Sequence, residues 1–276
     1  MSEKSVLISG CSSGIGYDAA HHMRRAGWRV FATCRKQADC DRLADEGLES
    51  FRLDYDDEPS ILAAVEEATR RTGGTLHAVF NNGAYAVPGL VEDLPTDALR
   101  AIFDTNVFGY HTLARAVIPI MRDQGHGRIV NCSSVLGFVT LKWRGAYQAS
   151  KFALEGLTDT LRLELDKDKI HVILIEPGPI TSDIRKNSAP HFEKWIDWKA
   201  SHRARDYEAR FLPRLYGPTS KDRFELPASA VSTKLETALS VPSPRARYRV
   251  TTPTYMMAVL KRLLPTRAMD WVLSRA

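Results

Sequence analysis

Short apolar runs alternate with helical patterns along the first two thirds of this chain, and that alternation narrows the possible folds sharply. The runs Ser5–Ser9, Arg29–Thr33, Glu49–Leu53, Ala78–Asn81, Arg128–Cys132 and His171–Glu176 have the length and composition of strands. Between them, in segments such as Ile61–Arg71 and Thr96–Arg122, apolar residues recur near every 3.6 positions. Several of the strand runs are apolar or β-branched throughout, as strands buried on both faces should be. Parallel neighbours need a crossover connection, and a helix is the usual one. The pattern predicts an α/β fold: a single doubly wound domain whose parallel sheet is flanked by helices on both faces. After about residue 185 the regularity ends, and aromatics, basic residues and prolines from Pro190 to Pro265 take over. Residues 1–184 are therefore predicted as the core, and residues 185–276 as a helical C-terminal extension of the same domain.

The chain has 276 residues, 44% hydrophobic and 26% charged, which suits one large domain with a substantial core. Met1, Ser2, Glu3 and Lys4 lead into the apolar run Val6, Leu7, Ile8, too short for a signal peptide. No stretch approaches the ~20 apolar residues of a membrane span. The four cysteines, Cys11, Cys34, Cys40 and Cys132, lack CxxC spacing, and reduced thiols in a cytoplasmic setting are expected. The eight histidines are scattered, so no metal site is expected. From Arg185 onward, 18 Lys and Arg face 8 Asp and Glu, whereas residues 1–184 hold 20 against 25. No nucleic-acid motif accompanies this basic end, and a solvated basic face is the simpler reading.

Three local patterns carry chemistry. The first strand ends in SGCSSGIG, residues 9–16, and a helical pattern follows at once. Gly10, Gly14 and Gly16, with Ser12, Ser13 and Ile15 between them, allow a tight turn at a helix N-terminus. There a pyrophosphate can approach backbone N–H groups. A lone glycine pattern is weak evidence, but the strand before it and the helix after it supply the context. About twenty residues on, the second strand ends at Arg35 and Lys36. A cation there suits the 2′-phosphate of NADP(H), whereas a free ribose hydroxyl usually meets a carboxylate. The third pattern is GAYQASK, residues 145–151, which puts Tyr147 and Lys151 one helical turn apart on one face. Phe152, Leu154, Leu157, Leu161 and Leu165 continue at helical spacing. An ammonium near a phenol lowers its pKa and makes a tuned proton donor. Such a spacing is also common on solvated helix faces, so alone it decides nothing.

The spacing Gly10-x3-Gly14-x-Gly16, taken with Tyr147-x3-Lys151, resembles the short-chain dehydrogenase/reductase family over roughly residues 4–184. That resemblance implies a Rossmann fold and a nicotinamide cofactor. It also implies catalysis by Asn106, Ser134, Tyr147 and Lys151. Tyr147 would exchange a proton with the substrate oxygen, and Lys151 would lower its pKa and hold the nicotinamide ribose. Ser134 would hydrogen-bond the substrate oxygen, and Asn106 would orient a water in a proton relay. Asp54 matches the adenine contact, Asn82 belongs to a loop beside the cofactor, and Pro177, Gly178 and Thr181 match the loop near the carboxamide. Two departures stand out. Residues 81–84 read Asn-Asn-Gly-Ala where the family has Asn-Asn-Ala-Gly, and Ser9 replaces the more usual threonine before Gly10.

Within the family, residues 33–35 (TCR) and the long extension look most like the retinol and 17β-hydroxysteroid dehydrogenases and their bacterial relatives. The resemblance therefore implies an NADP(H)-dependent interconversion of a hydrophobic carbonyl and its alcohol, in a homo-oligomer. The rivals are a β-ketoacyl carrier-protein reductase and a non-catalytic NADP sensor. Phe192, Trp195, Ile196, Trp198, Phe211, Leu212, Leu215 and Tyr216 form either a lid over a bulky substrate or the packing of an extra helix. In the tail, Tyr255, Met256, Val259, Leu260, Leu263 and Leu264 lie beside Lys261, Arg262 and Arg267. That pattern suits peripheral contact with a membrane. Because Pro265 interrupts it, docking on the core or on a partner subunit is favoured.

Overall fold

The computed structural model describes residues 4–217 and 223–275. Residues 1–3, 218–222 and 276, including the chain's opening Met1 and Pro218 of the proline-rich stretch, lie outside the described residues. Strands β1 (Ser5–Ser9), β2 (Arg29–Cys34) and β3 (Glu49–Arg52) alternate with helices α1 (Gly14–Arg25), α2 (Gln37–Asp45) and α3 (Glu58–Arg71). Strand β4 (Ala78–Asn81) leads to α4 (Thr96–Phe103), a π-helical segment (Asp104–Phe108) and α5 (Gly109–Asp123). Strand β5 (Gly127–Cys132), α6 (Gly145–Glu164) and β6 (Ile170–Pro177) follow. The remainder holds α7 (Ile184–Trp195), α8 (Ala204–Asp206), a second π-helical segment (Tyr207–Phe211) and α9 (Leu212–Tyr216). Then come α10 (Ser229–Ser240), β7 (Arg247–Val250), α11 (Thr252–Leu263) and α12 (Thr266–Leu273).

The seven strands form one parallel sheet in the order β3-β2-β1-β4-β5-β6-β7. The order reverses between β1 and β4, which opens a crevice at the strands' carboxyl ends, the usual ligand position in such sheets. Alternate residues of β1 serve the two faces. Val6 and Ile8 pack with Met23 of α1 and with Val231 and Leu235 of α10, while Leu7 packs with Ile61 of α3 and Leu113 of α5. The doubly wound α/β architecture expected from the strand–helix alternation is the one observed.

One local expectation needs correction. Strand β7 and helix α10 complete the sheet and its core, although the sequence pattern after residue 185 gave no sign of a strand. β7 is Arg-Tyr-Arg-Val, in which Tyr248 and Val250 face the core and the two arginines alternate with them. On α6 the helix expected from the spacing of Phe152, Leu154, Leu157, Leu161 and Leu165 is present, and Leu154, Leu161 and Leu165 pack in the core. Phe152 and Leu157 are exposed, whereas Tyr147, Ser150, Lys151, Leu154, Glu155 and Thr158 are buried. The helix turns its polar residues inward because the sheet end beneath it offers partners for them.

Candidate active site

The turn between β1 and α1 depends on its glycines. Gly10 and Gly14 have φ of +68° and +59°, a region that side chains disfavour. A Cβ on Gly16 would lie 2.2 Å from the Gly10 carbonyl oxygen, and one on Gly10 would lie 2.5 Å from the Gly83 Cα. Asn82 fastens the opposite wall by donating to the carbonyls of Ser9 and Gly10 at 3.2 and 3.4 Å. Ser13 begins α1 in extended conformation, its side chain makes no capping bond, and the first turn holds no acidic residue. The N–H groups of that turn therefore lack the acceptor that helices usually supply. An anion fits this position, and a pyrophosphate is the group that the motif predicts. The exchanged Gly83 and Ala84 are accommodated: Ala84 is not among the residues with positive φ, and Gly83 packs closely on Gly10.

A buried polar chain supports the crevice floor. The Ser9 hydroxyl accepts from the N–H groups of Asn82 and Gly83 at 2.9 and 3.2 Å and bonds the Tyr55 hydroxyl at 2.6 Å. Tyr55 donates to Asn81, Asn81 to Asn131, and Asn131 to Thr158 on α6. Sequence reasoning missed this chain. The available signal was an asparagine following an apolar run in each of β4 and β5, since buried amides require partners.

Tyr147 and Lys151 are both buried on the inner face of α6. The Lys151 ammonium donates to the Cys132 carbonyl at 2.7 Å and lies 5.7 Å from the centroid of the Tyr147 ring. Burial pushes its pKa down to about 8. Burial also pushes the Tyr147 phenol above its ordinary value, opposed by the Ser134 hydroxyl and then by the Arg144 charge. The lowering of the phenol anticipated from Lys151 is not found: desolvation dominates, and the groups that oppose it are Ser134 and Arg144. Ser134 follows β5, accepts from the Leu136 N–H at 3.1 Å and reaches the Pro177 carbonyl at 3.5 Å. Ser133 is buried and turned toward Glu155, as alternation in an extended segment requires.

Asn106 is fully buried in the first π-helical segment. Its amide clamps the backbone of Tyr85, accepting from N–H at 3.1 Å and donating to the carbonyl at 2.9 Å. It also donates to Ser150 at 3.1 Å, and Ser150 donates to the Tyr147 carbonyl at 2.7 Å. Other positions lie farther out. Arg35 and Lys36 are exposed beyond β2. Asp54, beyond β3, pairs with Arg52 at 3.3 Å. Gly178 follows β6, where a Cβ would strike the Thr251 hydroxyl at 2.1 Å. Thr181 does not point its hydroxyl freely into the crevice, because it donates to Glu225 at 2.6 Å.

The short chain dehydrogenase family matches residues 4–192, more than half of the chain. The chain belongs to the short chain dehydrogenase family. As a member of that family it is an oxidoreductase of CH–OH groups with a nicotinamide-binding Rossmann fold. It is 38% identical over 272 residues to the uncharacterized oxidoreductase YbbO of Escherichia coli, covering 98% of this chain and 94% of that protein. Retinol dehydrogenase 8 of Bos taurus is 35% identical over 190 residues, covering 65% of this chain and 60% of that protein. These relatives agree with placement beside the retinol dehydrogenases and their bacterial counterparts. A short-chain dehydrogenase from Streptomyces avermitilis has a similar structure, with a TM-score of 0.75 at 25% identity, covering 99% of this chain and 95% of that one. Among the described residues of this dehydrogenase, no helix is long and apolar enough to cross a membrane. No group of three or more His, Cys, Asp and Glu there is arranged to hold a metal ion.

Proposed function

We propose that this dehydrogenase uses NADP(H) to interconvert a carbonyl compound with an apolar body and its alcohol. The observation carrying the reading is Tyr147, buried beside Ser134 and above Lys151 at the carboxyl ends of the strands. When bound, the nicotinamide supplies or accepts the hydride. In reduction Tyr147 gives its proton to the substrate oxygen, and the Ser134 hydroxyl steadies the charge developing on that oxygen. Lys151 replenishes the proton, and Asn106 fixes the Tyr85 backbone and, through Ser150, the turn that carries Tyr147. The glycine turn, Asn82 and the 177–178 segment hold the cofactor. The aromatic cluster of Phe192, Tyr207 and Phe211, which packs with Tyr147, offers an apolar wall for substrate.

Cofactor choice is the direct test. Arg35→Asp should lower kcat/KM with NADPH by roughly 10- to 100-fold, the loss of one charge-assisted bond, and should favour NADH. A wild-type enzyme that uses NADH as well as NADPH would overturn the NADP(H) assignment. The pH profile gives a second test. Lys151 is charged below about pH 8 and neutral above it, its pKa having been lowered by burial. Reduction draws protons through it, so kcat for reduction should fall as pH rises through that value. Oxidation, which sends protons outward, should rise over the same range. Profiles recorded in both directions that stay flat from about pH 6 to about pH 10 would exclude Lys151 from the relay.

A further inference from the structure

We propose that the substrate carries a carboxylate-class anion, and that Arg144, Arg185 and Arg214 receive it beside Tyr147. This inference rests on the carbonyl reductase reading above. A cavity of about 140 Å³ is bounded by these three arginines and by Trp143, Phe211 and Leu215. The arginines come from three elements: Arg144 caps α6 three residues before Tyr147, Arg185 lies in the first turn of α7, and Arg214 lies on α9. Among the described residues, no carboxylate pairs with any of the three guanidinium groups and no acceptor hydrogen-bonds them. Elsewhere the chain supplies partners to its part-buried arginines: Arg29 has Glu49, and Arg247 has Glu155, Asp159 and Glu176.

Three like charges around one small cavity repel, and a part-buried guanidinium without a counter-ion is unfavourable. Burial first, then the charges of Arg214 and Arg185, push Arg144 down to about 10, so it remains charged at neutral pH. An anion relieves that repulsion, and the planar fork of arginine matches a carboxylate with paired hydrogen bonds. The position is tied to the reaction, because the Arg144 charge reaches the Tyr147 phenol. Trp143 and Phe211 also belong to the apolar cluster that includes Tyr147. The volume is well below the ~300–1,000 Å³ of a complete ligand site. It therefore holds a head group, while the apolar body lies along the aromatic cluster.

The test compares n-aldehydes with ω-oxo acids of equal length, nonanal and azelaic semialdehyde among them, using NADPH and wild-type enzyme, Arg144→Met, Arg185→Met and Arg214→Met. Wild-type kcat/KM should favour the acid at its best chain length by about tenfold or more, and each substitution should erase most of that ratio. Arg214 is exposed, so its variant keeps the comparison informative if a more buried substitution prevents folding. A parallel titration with laurate, read by tryptophan fluorescence with Trp143 at the cavity wall, requires no turnover. Saturable laurate binding should weaken about tenfold or more in the variants. Equal use of acid and neutral aldehyde by wild type, with laurate binding undiminished by the substitutions, would overturn the anion site and leave the reductase reading standing. Laurate binding lost in the variants, with neither aldehyde series reduced, would support the anion site while the reductase reading failed.

Discussion

Tyr147→Phe should reduce turnover by about 10²–10⁴-fold, the usual worth of a positioned general acid, while NADPH binding changes little. The phenyl ring keeps the volume that packs against Ala146, Phe192 and Phe211. What disappears is the proton and the oxygen that meets Ser134. Steady-state rates on a reactive aldehyde, with NADPH binding followed by its fluorescence, separate the two effects. Near-normal turnover in this variant would remove Tyr147 from the chemistry. Loss of NADPH binding equal to the loss of rate would instead give the phenol a role in holding the cofactor.

The second large effect is on stability. Arg247 donates to Asp159 at 2.8 and 2.7 Å and to Glu155 at 2.8 Å, and it lies 2.9 Å from Glu176. Glu176 is 1% exposed and its remaining cation is Arg249, at 3.1 Å. Burial first, then the Glu176 charge, already push Glu155 up to about 7. Arg247→Leu should cost about 3 kcal/mol, the low end for breaking a buried pair, because Arg247 itself is 26% exposed. For a chain of this size that corresponds to a Tm lower by roughly 6–12 °C, measurable by differential scanning calorimetry. A change within about 1 °C would mean that the three carboxylates find sufficient solvation without Arg247.

Much of the nucleotide-binding half was legible because its rules are local. Gly10, Gly14 and Gly16 declare a turn by what they lack, and β1, β2 and β4 declare burial by unbroken apolar runs. Residues whose partners are distant in sequence left little trace. Glu176 appeared as the polar end of a strand, and only the fold brings Arg247, 71 positions later, against it. Arg144 likewise carried no signal of its own, since Arg185 and Arg214 join it only when α7 and α9 pack. The polar residues on the inward face of α6, Ser150, Glu155 and Thr158, carried no signal of burial, because their partners lie at the sheet end and not nearby in sequence. Tyr147 and Lys151 were easy to notice as a pair, but desolvation of the phenol depends on what surrounds it.

The late position of α10 and β7 has a consequence for biosynthesis. Val231 and Leu235 cover the same apolar face as Val6, Ile8 and Met23, so the first layer of the nascent chain waits for residues made more than 200 positions later. At ordinary translation speeds of about 5–20 residues per second, that surface stays uncovered for roughly 10–40 s. Glu155 and Glu176 also wait for Arg247, 92 and 71 positions later, to leave the ribosome. The nucleotide-binding half therefore matures after translation of the last third, and a chain stalled before α10 presents chaperones and proteases with an open hydrophobic face.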